Sequence, residues 1–164
     1  MFATAPISHD TKPALYDELY AQARALFKGE RDATANAANL AALLFHQLPG
    51  LNWAGFYRMK GAVLVLGPFQ GKPACVRIAL GHGVCGTAAR DRRTVVVPDV
   101  NAFPGHIACD SASRSEVVVP VMRGGQVLGV LDLDSPNPGR FDDHDARGLE
   151  RIVALYVASS DPEA

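Results

Sequence analysis

Three cysteines give this chain its most reactive side chains. They are Cys75, Cys85 and Cys109, and no two of them form a C-x-x-C pair or match the spacing of a common zinc site. Most free cysteines are small buried hydrophobic residues. Cys85, however, lies among glycines and Cys109 lies in an irregular segment, where spare backbone N–H groups can stabilise a thiolate. Both roles stay open, because spacing along the chain does not show whether the three thiols meet.

Three acidic residues are expected near one end of a hairpin. Asp132 and Asp134 are two residues apart on a predicted strand, so their side chains point to the same face. Glu116 lies near the start of the strand predicted to pair with it. Such carboxylates can bind an ammonium group, hold a hard cation or transfer protons, or they can simply end a solvated strand. No further oxygen ligands lie in the nearby segment, so we predict no metal here.

Two aromatic residues share a face of another predicted strand. Trp53 and Tyr57 are four residues apart, which places both on one side of the strand. There they would either form the wall of a small pocket or belong to the core.

Two further patterns imitate functional motifs. The run GHGVCG at 81–86 matches G-x-G-x-x-G, but a strand is predicted from Thr94, which leaves no room for the crossover helix of a dinucleotide fold. We interpret these glycines as a tight turn into a short helix. The acidic run at 141–145 is interpreted as the cap of the last helix rather than as a metal cluster.

Hydrophobic periodicity and turn residues predict the elements that must position these side chains. Helices are predicted at 13–26, 31–48 and 142–158, with a short helical piece at 87–90. Strands are predicted at 53–59, 62–66, 75–80, 94–97, 115–122 and 127–134, the last two joined by the turn at 123–126. This order of elements indicates an α+β fold with one central sheet.

Composition excludes several classes of function. The chain has 164 residues, with 16 Lys and Arg against 17 Asp and Glu, so its net charge is -1. No basic field is available for a nucleic acid or an anionic membrane. No secretory signal, bilayer-spanning stretch or hydrolase nucleophile motif is visible. The odd number of cysteines favours thiol chemistry in a reducing compartment, and we therefore predict a cytoplasmic protein.

Several segments together resemble one family. They are NWAGFY at 52–57, LGPFQG at 66–71, GVCGTA at 83–88, VPDV at 97–100, GHIAC at 105–109, SRSE at 113–116 and LDLDS at 131–135. In these motifs the chain resembles the free methionine-R-sulfoxide reductases, which are built on the GAF fold. The resemblance covers residues 13–158 and includes all three cysteine positions.

The resemblance implies a fold and a reaction. Residues 1–12 are themselves predicted to be a flexible lead-in. The resemblance implies a single GAF domain at 13–160, with a central antiparallel sheet of about six strands flanked by helices, often paired as a homodimer. The implied reaction is thiol-dependent reduction of free L-methionine (R)-S-oxide to L-methionine, through a cysteine sulfenic acid and an intramolecular disulfide. No bound cofactor or metal is expected, and thioredoxin is the expected external reductant.

The resemblance also implies residue roles. Cys109 would be the attacking thiolate, Cys75 the resolving cysteine, and Cys85 a residue of the site or an alternative partner. Substrate would be held by Glu116, Asp132 and Asp134, which would also assist protonation of the sulfoxide oxygen, and its methyl end would pack against Trp53 and Tyr57. Which cysteine resolves first and which carboxylate donates the proton stay open.

Two other functions remain as alternatives. A GAF sensor domain would bind a small effector, and its cysteines would be incidental. A thiol redox switch would be oxidised without turning over a substrate.

Overall fold

The structure, a computed structural model, describes residues 5–7, 9–107 and 109–161. Its four helices are α1 Lys12–Leu26, α2 Ala33–Gln47, α3 Gly83–Asp91 and α4 Asp143–Ser159. Its six strands are β1 Trp53–Lys60, β2 Val63–Gly71, β3 Arg77–Ala79, β4 Val95–Val97, β5 Ser115–Arg123 and β6 Gln126–Ser135, with a short 3₁₀ turn at Val100–Ala102.

Side-chain caps decide where three of the helices begin. The side chains of Thr11 and Asp32 accept hydrogen bonds from the backbone N–H groups that open α1 and α2. Asp142 opens α4 in a reciprocal capping box with Asp145. The acidic run at 141–145 is therefore a helix cap, as its sequence predicted.

The six strands form one antiparallel sheet in the order β3-β2-β1-β6-β5-β4. Strands β5 and β6 make the predicted hairpin, and its turn needs Gly124 and Gly125 because both have positive φ angles, of 55° and 79°. The predicted α+β class, with a central antiparallel sheet of six strands flanked by helices, is confirmed.

The two faces of the sheet carry different layers. Helices α1, α2 and α4 cover one face, over a core that includes Leu44, Leu133 and Ile152. Helix α3 packs on the other face against β3, β4, β5 and β6, over a smaller core that includes Tyr57 and Val118. Chemically reactive side chains gather on this second face.

Several predicted boundaries were wrong. Strand β3 is Arg77–Ala79 instead of 75–80, so Cys75 lies before it. Strand β2 continues to Gly71 instead of ending at residue 66. A register shift between Gly55 and Tyr57 accommodates Pro68, so β2 is paired with β1 on both sides of this proline. The segment containing Cys85 is the first turn of α3, which starts at Gly83, and not a loop before a shorter helix.

The predicted domain bounds of 13–160 and the flexible lead-in at 1–12 remain predictions. Helix α1 begins at Lys12, while residues 1–4 and 8 lie outside the described residues. Within the part of the chain that the structure describes, no helix is long and apolar enough to cross a membrane.

Candidate functional site

A cleft opens on the sheet face that carries α3. It encloses about 540 Å³, counting its open mouth. Its lining comes from β1, β5 and β6, from the start of α3, and from two loops, at 72–74 and 106–113. The chemically active side chains among its lining residues are Trp53, Tyr57, Lys72, Cys85, His106, Cys109, Asp110, Ser113, Glu116, Asp132 and Asp134.

Strand register brings the acidic side chains together on the cleft floor. Asp134 on the central strand β6 pairs with Trp53 of β1 on one side and with Glu116 of β5 on the other. Asp132 lies two residues earlier on the same face of β6 and also lines the cleft. Three carboxyl groups from two adjacent strands thus share one small region, as the alternation of residues along the hairpin predicted.

Burial opposes the ionisation of these carboxyl groups. Glu116 and Asp132 are each 6% exposed. Loss of solvation, followed by repulsion from neighbouring carboxylates, raises the pKa of Glu116, Asp132 and Asp134 well above the ordinary value. In the described part of the chain no lysine or arginine pairs with any of the three, and Asp132 Oδ1 has no hydrogen-bond partner. The floor is therefore a set of buried acids without a counter-charge.

Cys85 belongs to this floor. Its Sγ lies 4.0 Å from Glu116 Oε1, and this sulfur and one oxygen from each of Glu116 and Asp132 lie within 4.8 Å of one another. Burial and then the charges of Asp132 and Glu116 raise the pKa of the Cys85 thiol well above its usual range. Of the two roles left open for Cys85, its position favours the small buried residue, because a helix buries it against two acids that oppose its ionisation.

Cys75 and Cys109 are joined by a disulfide, with their Cα atoms 5.6 Å apart. Cys109 is exposed and lines the cleft, while the half-buried Cys75 lies just before β3. The Tyr57 hydroxyl donates a hydrogen bond of 2.9 Å to the Cys75 carbonyl oxygen, which ties the loop of Cys75 to β1. Cys85 is the remaining free cysteine. Tertiary structure thus pairs two of the three thiols.

Aromatic rings form one wall of the cleft. The rings of Trp53 and Tyr57 are stacked at 5.9 Å between centroids, and Phe69 stacks on the far side of Trp53 at 5.3 Å. The indole N–H donates to the Lys72 carbonyl oxygen at 3.1 Å, so the polar edge of the ring is satisfied. Both predicted aromatic residues therefore line the cleft and also help to build its core.

The loop between β4 and β5 supplies residues that sequence reasoning did not single out. His106 Nε2 lies 3.5 Å from Glu116 Oε2. Burial lowers the pKa of His106 below its ordinary value, so this contact is not a fixed ion pair at neutral pH. The only signal for His106 was its position three residues before Cys109.

An ion pair stands at the mouth of the cleft. Lys72 Nζ lies 3.7 Å from Asp110 Oδ2, and Asn52 Nδ2 donates to the same oxygen at 3.3 Å and to Ser113 Oγ at 3.0 Å. A hydrogen bond from the Ala112 backbone N–H, with smaller help from Lys72, lowers the pKa of Asp110. The mouth thus presents one positive and one negative charge, which no local motif indicated.

Comparisons with known proteins agree with this architecture. A family model described as GAF domain matches residues 32–159. A protein of Escherichia coli called free methionine-R-sulfoxide reductase is 50% identical over 143 residues, covering 87% of each chain. The structure of free methionine-R-sulfoxide reductase from Neisseria meningitidis in complex with its substrate superposes with a TM-score of 0.93 at 44% identity, covering 97% of this chain and 95% of that one. A GAF sensor protein of Burkholderia vietnamiensis superposes with a TM-score of 0.89 at 58% identity, covering 92% and 96%.

Proposed function

This chain belongs to the free methionine-R-sulfoxide reductases of the GAF domain family, and on that premise we propose that it reduces free L-methionine (R)-S-oxide to L-methionine. The observation that carries the proposal is the disulfide between Cys75 and Cys109 at the mouth of a cleft whose floor is made of buried acids, with pKa values raised by that burial. Sulfoxide reduction by thiols needs both parts. Two thiols supply the two electrons, and an acid protonates the sulfoxide oxygen as it leaves the substrate sulfur.

The first chemical step joins Cys109 to the sulfoxide. The Cys109 thiolate attacks the substrate sulfur while a carboxyl group of the floor donates a proton to the sulfoxide oxygen. Oxygen passes to Cys109, methionine leaves, and Cys109 becomes a sulfenic acid. Cys109 is assigned this role because it lines the cleft, whereas Cys75 is not among the lining residues.

The second step forms the disulfide. The Cys75 thiol attacks the sulfenic sulfur of Cys109, the S–S bond forms and water leaves. In the disulfide form their Cα atoms lie 5.6 Å apart, which is an ordinary separation for a disulfide. Cys85 is buried on the cleft floor, where its raised pKa disfavours the thiolate that such an attack requires. Cys75 is therefore the resolving cysteine in this proposal.

Glu116, Asp132 and Asp134 are proposed to bind and protonate the sulfoxide group. A protonated carboxyl group is a hydrogen-bond donor in a site from which water is largely excluded, where such a bond is strongest. The wall of Trp53 and Tyr57 would hold the methyl group on sulfur by apolar contact. No bound cofactor or metal takes part in these steps.

Charges around the cleft favour a free amino acid over a residue in a peptide. A free amino acid carries an ammonium and a carboxylate, and the mouth of the cleft offers Asp110 for the first and Lys72 for the second. Peptide bonds remove both charges of the substrate. Selectivity for the free sulfoxide therefore follows from lost charge pairs as well as from the limited size of the cleft.

Return to the reduced state needs an external dithiol. We assign this role to thioredoxin, which would attack the disulfide by exchange. A homodimer and a cytoplasmic location complete the proposal, the latter because the cycle needs a compartment that keeps thiols reduced.

A diastereomer-resolved assay tests the reaction. Purified protein, a dithiol and racemic free methionine sulfoxide are incubated, and each diastereomer is followed by chromatography. We expect loss of the R form alone, with N-acetylated and peptide-linked sulfoxides untouched. Cys109→Ser should abolish turnover, a fall of at least about 10³-fold. Consumption of neither diastereomer would return the protein to the sensor class, and near-normal turnover by Cys109→Ser would refute the role of Cys109.

A coupled assay tests the reductant. Thioredoxin, its reductase and NADPH replace the synthetic dithiol, and NADPH oxidation that depends on the sulfoxide is the expected result. Turnover with the synthetic dithiol but none with thioredoxin would mean that another dithiol protein serves this enzyme.

A further inference from the structure

We propose that the floor of the cleft is also a binding site for a thiophilic divalent cation, Zn²⁺, with Cys85, Glu116 and Asp132 as its ligands. Bound there, the cation would exclude the sulfoxide and inhibit the enzyme. The inhibition rests on the proposed function, whereas the binding site itself does not.

Ligand type is the first argument. A thiolate and two carboxylates are ligands that Zn²⁺ takes in proteins, and three protein ligands with a fourth open position make an ordinary zinc site. Cys85 is the one cysteine outside the disulfide, so the reductive cycle leaves its sulfur available. The neighbouring His106, 3.5 Å from Glu116, could fill the fourth position after a small movement.

Distance is the second argument. The Cys85 sulfur and one oxygen from each carboxyl group lie within 4.8 Å of one another, and Cys85 Sγ is 4.0 Å from Glu116 Oε1. Tetrahedral zinc with ordinary bond lengths needs sulfur and oxygen about 3.5 Å apart. The Cys85–Glu116 gap of 4.0 Å would have to close by about 0.5 Å, and the widest separation in the cluster, at most 4.8 Å, by about 1.3 Å. Rotations shared among the three side chains can supply such movements.

An unpartnered buried atom is the third argument, and it is independent of the cluster itself. Asp132 is 94% buried, since only 6% of its surface is exposed, and its Oδ1 has no hydrogen-bond partner among the residues that the structure describes. A buried carboxylate oxygen without a partner costs free energy, which a bound cation or donor would recover. Among the described residues, this is also the one group of three His, Cys, Asp or Glu side chains close enough to hold an ion.

Binding would exchange protons for the metal. The Cys85 thiol and the carboxyl groups of Glu116 and Asp132 each release a proton to solvent as Zn²⁺ takes their place, and no electron is transferred. The cation would then occupy the position in which we place the sulfoxide oxygen. Zn²⁺ should therefore compete with methionine sulfoxide, and removal of the metal by a chelator should restore activity.

Metal binding is measured first on the disulfide form of the protein, in which Cys85 is the only free thiol. Titration with Zn²⁺ by calorimetry should give one site per chain, and titration with Co²⁺ should give a thiolate-to-cobalt absorption band in the near ultraviolet. Cys85→Ser should remove that band and weaken Zn²⁺ binding by about 10- to 100-fold, and Asp132→Asn should weaken it similarly. Circular dichroism spectra check that each variant folds.

A matched control separates this site from surface binding. His144→Gln changes an exposed histidine in the acidic start of α4, and it should leave the affinity for Zn²⁺ unchanged. A cobalt complex without the thiolate band, or equal Zn²⁺ affinity in Cys85→Ser and the unmodified protein, would overturn the proposal.

Enzyme assays come second, and their failure has a different meaning. Zn²⁺ should raise the apparent KM for methionine sulfoxide without lowering kcat. Metal binding with no reductase activity under any condition would refute the proposed function and leave the site standing. Reductase activity with no metal binding would refute the metal site and leave the proposed function standing.

Discussion

Buried acids lie on both faces of the sheet, and the fold treats them in opposite ways. Asp145 is completely buried and fully paired: Lys12 Nζ and Arg140 Nη1 contact its carboxylate at 2.5 and 3.2 Å, and the Tyr16 hydroxyl donates to it at 2.9 Å. Asp132, on the cleft floor, has neighbouring acids in place of cations. Cations of the protein balance the charge of Asp145, whereas Asp132 is left for a ligand.

This difference distinguishes a structural acid from a functional one. A buried carboxylate with two cations and a hydroxyl has its desolvation cost offset by the fold itself, and it holds α1, α4 and the segment before α4 together. A buried acid without a counter-charge weakens the fold when it ionises, so a protein that keeps it must gain elsewhere. In this chain the gain is the binding and protonation proposed for the sulfoxide.

The largest expected effect is on catalysis and comes from Asp132→Asn. We expect kcat/KM to fall by about 10²- to 10³-fold, because a donor to the sulfoxide oxygen is replaced by an amide that cannot give up a proton. The free energy of unfolding should stay constant or rise, since a buried acid is removed. Steady-state kinetics and urea denaturation in one redox state measure the two quantities. A loss of stability as large as the loss of activity would contradict the comparison.

The next effect is on stability and comes from the matched change Asp145→Asn. We expect a loss of about 3 kcal/mol, because Lys12 and Arg140 would remain as partly buried cations facing a neutral amide. The kcat/KM of the folded fraction should stay near that of the unmodified protein, since Asp145 is on the other side of the sheet. Denaturation at several urea concentrations measures the loss, and a change below about 0.5 kcal/mol would show that this cluster is not structural.

The dependence of stability on pH should have opposite signs for the two clusters. Glu116, Asp132 and Asp134 have raised pKa values, so their contribution is complete below the unfolded pKa of about 4 and is lost as pH rises through the folded values. Asp142 beside Lys12 behaves oppositely. Burial opposes its ionisation, but hydrogen bonds from Lys12 and from the backbone of α4 lower its pKa to about 2, so its contribution is lost as pH falls toward that value.

Unfolding free energies measured across the acid and neutral range test these signs. Asp132→Asn should flatten the decline above pH of about 4, and Asp142→Asn should flatten the decline on the acid side. If both variants flatten the decline of unfolding free energy in the same pH range, the opposite pH dependences proposed for the two clusters are contradicted.

The smallest expected effect compares two tyrosines that each donate one hydrogen bond. Tyr16→Phe removes the donor to Asp145, and Tyr57→Phe removes the donor to the Cys75 carbonyl oxygen. Each should cost about 1 kcal/mol of stability. Only Tyr57→Phe should also slow disulfide formation, because only that hydroxyl steadies the loop of Cys75. Thiol titration after a single turnover checks this, and equal rates for both variants would remove the proposed role of the Tyr57 hydroxyl.

The sequence by itself determined most of the fold and much of the cleft floor. Alternation in the β5–β6 hairpin placed Glu116, Asp132 and Asp134 on one face, because side chains in paired strands repeat every two residues. Helix caps and glycine turns are equally local, so Asp142 and Gly124 could be interpreted from their neighbours alone. The family resemblance supplied the residue roles, which no periodicity could give.

Only the tertiary structure decided which residues meet across long intervals of the chain. Cys75 and Cys109 lie 34 residues apart and pair because the edge strand β3 and the loop before β5 reach the same end of the sheet. The role of Cys85 stayed open because its burial depends on where α3 packs, and His106 and the Lys72–Asp110 pair were missed because their partners lie in other segments. Local pattern fixes the direction of a side chain within its own element, whereas burial and contact depend on how the elements pack together.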